Sequence, residues 1–256
     1  MNFFKYSLAA ATAICETVSP ATASGAAFEQ YNNTKVAWGL GSSADTYGRP
    51  IDAVNAETKY SDMGGLFVGG AEHKRLWLTF DEGYENGYTE KILDVLKEKN
   101  VRAVFFVTYD YAKDNSELIK RMIAEGHTVG NHTMSHPSLP ECSDSEMTRE
   151  LSELHDYVKQ QFGYDMYVMR PPKGEFSERV LACAKSLGYT TVLWSFAYLD
   201  WNTENQPNPA MALEKIISKT HPGEICLLHA VSKTNAEILG SVIDNWRQNG
   251  YIITPM

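Results

Sequence analysis

Two histidines, His132 and His136 in the run Asn131-His132-Thr133-Met134-Ser135-His136-Pro137, are spaced as metal ligands often are. Upstream lies the acidic turn Thr79-Phe80-Asp81-Glu82-Gly83. Imidazole and carboxylate hold a Lewis-acidic divalent ion while leaving coordination positions open to water and substrate, which is the chemistry of hydrolysis. The chain has seven histidines, so one HxxxH spacing can arise by chance. The neighbouring residues give it weight. Asp81-Glu82 follows the strand-like run Leu76–Phe80, and the histidine pair follows the short run His127-Thr128-Val129-Gly130. Ends of parallel strands are where α/β folds build their sites.

The same pattern continues along the chain. After later apolar runs come Arg170-Pro171-Pro172, then Asp200-Trp201, then His229. Each is weak alone, but their ordered placement after successive strand candidates is strong. His73, His127, His155 and His221 lack such context and are read as surface or local hydrogen-bonding residues.

The elements that must position these groups are legible from periodicity. Strand candidates are Leu76–Phe80, Val101–Val107, Thr128–Asn131, Tyr167–Arg170, Thr190–Ser195, Ile225–His229 and Tyr251–Thr254. Between them, Met147, Leu151, Leu154 and Val158 form a helical stripe, as do Leu239, Val242, Ile243 and Trp246. Ser143-Asp144-Ser145-Glu146 and Thr234-Asn235-Ala236-Glu237 have capping-box spacing and mark helix starts. This is a βα repeat. With about seven strands and no dinucleotide-binding glycine fingerprint after the first, the expected α/β architecture is a closed or nearly closed parallel (β/α) barrel rather than a doubly wound sheet.

At 256 residues the chain can bury a full core, and its net charge of −9 argues against nucleic acid as a partner. Residues 1–24 have one early positive charge, an alanine-rich apolar run and small residues near Ala21–Ala26, the pattern of a signal peptide or an uncleaved N-terminal anchor. Residues 25–73, rich in Gly, Ser, Asn and Asp, read as an irregular extension packed on the 74–256 domain. Beyond the leader, Cys142, Cys183 and Cys226 give no disulfide framework or zinc spacing.

Taken in order, Thr79-Phe80-Asp81-Glu82-Gly83, His132-Thr133-Met134-Ser135-His136, Arg170-Pro171-Pro172-Lys173-Gly174, Asp200-Trp201 and Leu227-Leu228-His229 resemble the five motifs of the polysaccharide deacetylases, the carbohydrate esterase family built on the NodB homology domain. The resemblance spans roughly residues 73–254. It implies a distorted NodB-type barrel, an exported, extracytoplasmic enzyme and an acetylated glycan such as peptidoglycan as partner, with no protein partner. Glu82-Gly83-Tyr84-Glu85-Asn86-Gly87-Tyr88-Thr89 and Ser195-Phe196-Ala197-Tyr198-Leu199-Asp200-Trp201 are most similar to the spore-cortex enzymes that deacetylate N-acetylmuramic acid so that muramic δ-lactam can form.

What the family implies residue by residue follows from what amide hydrolysis needs: activated water, a stabilised oxyanion and a proton for the departing amine. A divalent ion, Zn or else Mn, Co or Fe, on His132 and His136 with Glu82 as third ligand would acidify water and polarise the acetyl carbonyl. Glu82 stands where the family usually has aspartate, and Ala197 where its fourth motif often begins with one. Asp81 is the expected base, tethered by Arg170, and His229 the expected acid, oriented by Asp200. Trp201 and Leu227 are the expected wall around the acetyl methyl, and Tyr84 and Tyr88 expected sugar-stacking residues. Deacetylation of N-acetylglucosamine in peptidoglycan or chitin-like polymer, or of O-acetyl xylan, is the alternative activity, and a non-catalytic glycan binder the alternative of another class.

Overall fold

A computed structural model describes residues 28–256. The leader assigned to residues 1–24 lies outside them. Along the described chain run β1 (Val36–Ala37), α1 (Ile51–Tyr60), β2 (Gly65–Leu66), β3 (Arg75–Glu82), α2 (Thr89–Glu98), β4 (Val104–Val107), α3 (Tyr109–Asp114), α4 (Ser116–Ala124), β5 (Thr128–Asn131) and α5 (Asp144–Phe162). The second half holds β6 (Val168–Met169), β7 (Glu175–Phe176), α6 (Glu178–Ser186), β8 (Thr190–Val192), α7 (Pro209–Lys219), β9 (Glu224–His229), α8 (Lys233–Gln248) and β10 (Ile252–Ile253).

All seven strands expected from sequence are present and lie in one parallel sheet. They are apolar along their length because both faces are covered. β3 is the hub, pairing β4 and β10 along one edge and β9 along the other. The sheet continues β4-β5-β6-β8-β2 and curls until the segment after β8 meets β9 at a parallel Phe196–Cys226 bridge. There Ser195 N donates to Ile225 O at 3.0 Å and Leu227 N to Phe196 O at 2.9 Å. The barrel is distorted because this closing contact is a single bridge rather than a full ladder.

Inside the barrel Val104, Phe106, Val168, Val192 and Ile225 pack together, while the larger core fills the space between sheet and helices. The stripes expected on α5 and α8 are fully buried there, each such side chain contributing about 1.5–3 kcal/mol. The Ser143 capping box forms, with Ser143 Oγ accepting from Glu146 N and Glu146 accepting from Ser143 N. The second cap sits elsewhere. Ser232 caps α8 by accepting from Asn235 N, and Thr234 Oγ1 instead donates to Pro207 O at 2.7 Å.

Residues 28–73 are more ordered than their composition implies. They supply α1, and β2, whose backbone extends the sheet beside β8. β1 pairs antiparallel with β7, and Tyr60, Phe67 and Phe176 join one aromatic cluster with Trp38. Turn-forming residues are frequent here, but a few aromatics bury enough surface to fix the segment.

Register is what positions the site. Glu82, Val107, Asn131 and Met169 are successive partners across β3, β4, β5 and β6, and Asp81 is the Cα partner of His229. The chemistry-bearing residues therefore emerge along one rim, the C-terminal end of the strands.

Candidate active site

A cleft of about 1190 Å³ opens at this rim, lined by Asp81, His132, His136, Tyr84, Trp201, Leu227 and His229 among others. Its base is a buried ion pair: Arg170 Nη1 donates to Asp81 Oδ1 at 2.7 Å. Arg170 is itself wholly buried. Its Nε donates to Val192 O and Nη2 to Leu193 O, and its guanidinium lies 4.2 Å from the centre of the Phe106 ring. Phe106 occupies that place because Gly130 has no side chain; a Cβ there would stand 2.4 Å from the ring. Burial opposes ionisation of Asp81, but the Arg170 charge, the positive forms of His132 and His229 and the Arg170 hydrogen bond outweigh it. Asp81 is thus held below its ordinary value, and Oδ2 is not engaged by Arg170.

His132 follows β5 and has its Nδ1 2.8 Å from Arg170 O. A carbonyl only accepts, so Nδ1 carries the proton and Nε2 keeps its lone pair. Burial, ahead of the opposing Asp81 charge, pushes the His132 pKa down to about 4. The ring is neutral at neutral pH, and its 3.7 Å approach to Asp81 Oδ2 is not an ion pair there. The His136 ring centre lies 4.9 Å away. The loop between them is a strained turn, with Thr133 at φ 72° and His136 at φ 58°. Asn131 Oδ1 accepts from Thr133 N, Thr133 Oγ1 from His136 N, and the Glu150 carboxylate of α5 from Ser135 N and Oγ.

Across the cleft, the Nδ1 of His229 lies 2.7 Å from Asp200 Oδ1, which leaves Nε2 to the cleft. Asp200 Oδ2 accepts from His229 N at 2.8 Å and from Asn235 Nδ2 at 2.6 Å. Tyr198 OH in turn donates to Asn235 Oδ1. Burial disfavours charge on His229, but the Asp200 hydrogen bond and the charges of Asp200 and Asp81 prevail and raise its pKa. An ionised base and an imidazole biased toward protonation thus face one space.

Tests of the metal ligands divide them. His132 and His136 fit a divalent ion, since they present neighbouring imidazoles at a cleft with room for water and substrate. Glu82 does not join them. Strand alternation turns it to the other side of β3, wholly buried, with neither carboxylate oxygen hydrogen-bonded. Burial first, then the charges of Glu85 and Asp81, raise its pKa well above its ordinary value. Among the described residues no group of three His, Cys, Asp or Glu forms a metal cage.

Leu227 is buried in the cleft wall, while Trp201 is half exposed with its ring centre 5.6 Å from that of His229. Tyr84 is exposed on the rim. Tyr88 lies off the cleft wall; it precedes α2, where Lys91 Nζ sits 5.4 Å from its ring centre. Of the unassigned histidines, His127, His155 and His221 hydrogen-bond Ala103 N, Tyr189 OH and Ser195 Oγ away from the cleft. Sequence reading missed Trp38, Leu40, Trp194, Tyr198, Asp110 and Lys215 in the wall, and Asn235 and Glu150 behind it. Tyr198 and Trp194 flank recognised motifs; Trp38 and Lys215 had no local signal.

A carboxylate held ionised and an imidazole biased toward protonation, facing each other at the mouth of a parallel barrel, have the chemistry that hydrolysis needs. The polysaccharide deacetylase profile matches residues 69–192. The chain is 42% identical over 227 residues to the peptidoglycan-N-acetylmuramic acid deacetylase PdaA of Bacillus subtilis, covering 87% of this chain and 85% of that one. The solved structure of that protein, described as a family 4 carbohydrate esterase, superposes with a TM-score of 0.83 at 40% identity, covering 88% of this chain and 96% of the other. The peptidoglycan-N-acetylglucosamine deacetylase PgdA of Listeria monocytogenes is 34% identical over 179 residues, 70% of this chain but 37% of that longer protein. This chain belongs to the polysaccharide deacetylase family.

Proposed function

We propose that the chain hydrolyses the N-acetyl amide of muramic acid residues in peptidoglycan, freeing the amine from which a δ-lactam can form. The observation that carries this is the opposition of Asp81, ionised by Arg170, and His229, oriented by Asp200, across one cleft beside a free histidine pair. The 42% identity to a protein described as a muramic acid deacetylase supports the choice of sugar. Acting on peptidoglycan would require the protein to be outside the cytoplasmic membrane, with residues 1–24 as leader or anchor. No described helix is long and apolar enough to cross a membrane.

His132 and His136 would hold a divalent ion, Zn foremost and Mn, Co or Fe also suited by imidazole, whose Lewis acidity activates water and the acetyl carbonyl. Asp81 takes the water proton at Oδ2, since Oδ1 is engaged by Arg170. His229 Nε2 then gives its proton to the departing sugar nitrogen, and Asp200 stabilises the imidazolium beforehand. Leu227 and Trp201 enclose the acetyl methyl, and Tyr84 offers a face to a sugar ring.

Digesting purified peptidoglycan with the protein and locating new free amines by mass spectrometry tests the reading. Amines on muramic acid support it; amines only on glucosamine favour the second reading, for which the likeness to PgdA speaks. Glycan binding without acetate release in any metal would favour a non-catalytic binder.

A further inference from the structure

We propose that Lys173 reads a free carboxylate on the substrate, namely the 3-O-lactyl carboxylate of a muramic acid residue whose peptide has been removed; this rests on the muramic acid reading above. The starting point is a cleft cation without an ion pair, whose charge is felt by Glu175 and His136. Lys173 is exposed on the cleft wall and makes no ion pair among the described residues. The acid nearest it in sequence, Glu175, is engaged by Lys35 at 3.4 Å. In a chain of net charge −9, Lys173 and Lys215 are the two ammonium groups on this wall, and both lack an ion pair among the described residues.

The backbone holds it there against a local cost. Lys173 has φ 59°, a left-handed conformation that costs a non-glycine residue roughly 1–2 kcal/mol. The turn around it is clamped: Pro171, Pro172 and Gly174 are buried, and a Cβ on Gly174 would come within 2.5 Å of the Trp194 ring and 3.1 Å of Trp38 Cβ. The same turn begins at Arg170, which grips Asp81, so the lysine is tied to the reacting centre by a short rigid segment. The other charged groups on the wall are Asp81, engaged by Arg170, Asp110, and Lys215 from α7.

The chemistry of the sugar supplies the partner. Muramic acid differs from glucosamine by a lactyl ether on the ring carbon next to the one bearing the acetamido group. With the acetamide at Asp81 and His229, the arm on the adjoining ring carbon is held within the same cleft, whose wall carries Lys173. With a peptide attached its carboxyl is a neutral amide; with the peptide removed it is an anion. A lysine can accept the second and gains little from the first.

The test compares the full-length protein with its Lys173→Gln, Lys173→Arg and Lys215→Gln variants. Two substrates are used: a peptide-free N-acetylmuramic acid glycan, and the same glycan with its lactyl carboxyls converted to methylamides. The readout is the ratio of kcat/KM for acid over amide. The expected result is that Lys173→Gln lowers that ratio about three- to tenfold, that Lys173→Arg restores most of it, and that added salt shrinks the wild-type ratio. Equal loss on both substrates, an unchanged ratio, or a ratio that responds only to Lys215→Gln would overturn the proposal. Wild-type protein that deacetylates only glucosamine would instead overturn the muramic acid reading beneath it.

Discussion

Oδ1 of Asp81 accepts a hydrogen bond from Nη1 of Arg170 at 2.7 Å, and the guanidinium that makes it is wholly buried. A buried cation left without its partner is costly, so the pair also holds the base of the cleft together. Asp81→Asn should lower acetate release at least a hundredfold in kcat and, because it leaves the Arg170 cation buried without an anion, should also cost stability, by roughly 3–5 kcal/mol. Arg170→Met should cost stability, roughly 3–5 kcal/mol, and activity together. Circular dichroism melts beside acetate release separate the two effects. An Asp81→Asn variant with more than a tenth of wild-type turnover would remove Asp81 from its role.

The two perturbed groups set a pH profile. Asp81 must be ionised, and its pKa is lowered, so activity persists to acid pH below the usual carboxylate range. His229 must be protonated, and its pKa is raised above 6.5, so the alkaline limb lies above the usual imidazole range. Asp200→Asn removes the main cause of that rise. Its alkaline limb in kcat/KM should move to lower pH while the acid limb stays; an unmoved alkaline limb would assign the acid elsewhere.

Metal binding should divide the acidic and basic candidates. Dialysis against chelator should stop turnover and added divalent ion restore it. In calorimetric titrations with Zn, His132→Ala and His136→Ala should each weaken affinity at least tenfold, whereas Glu82→Gln should change it less than threefold. Comparable losses in all three would place the Glu82 carboxylate at the ion after all.

A second buried acid gives a stability signature away from the cleft. Glu224 is raised by burial to about 8 from its ordinary 4.5, and its neighbour His221 is lowered, so their 3.5 Å approach is not an ion pair at neutral pH. A raised folded pKa contributes stability that is fully present below the unfolded value and is lost as pH rises through the folded one. Urea unfolding should therefore show wild type weakening between about pH 4.5 and 8 relative to Glu224→Gln, by roughly 2–4 kcal/mol. Parallel curves for the two proteins would contradict a protonated Glu224.

A close contact sets the last expectation. Gly130→Ala would drive a methyl to within 2.4 Å of the Phe106 ring, on which Arg170 rests. It should cost about 1–3 kcal/mol in stability and lower kcat more than it raises KM, because the base is tethered through that stack. Thermal melts and steady-state kinetics check both.

The sequence by itself determined the strands, the helical stripes on α5 and α8 and the order of the reactive residues, because each is a local pattern of period, cap or motif. It also singled out Asp81, His132, His136, Arg170, Asp200 and His229 as candidates, which the fold gathers on one rim, since strand ends can be read without knowing how strands pair. Tertiary structure decided the rest. Register alone made Asp81 the partner of His229, and alternation across β3 turned Glu82 under the sheet while Asp81 faced the cleft. The order within residues 28–73, the loss of Tyr88 from the wall and the arrival of Trp38 and Lys215 there depend on long-range packing. Contacts between residues far apart in the chain leave no local periodicity, so no window along the sequence could have held them.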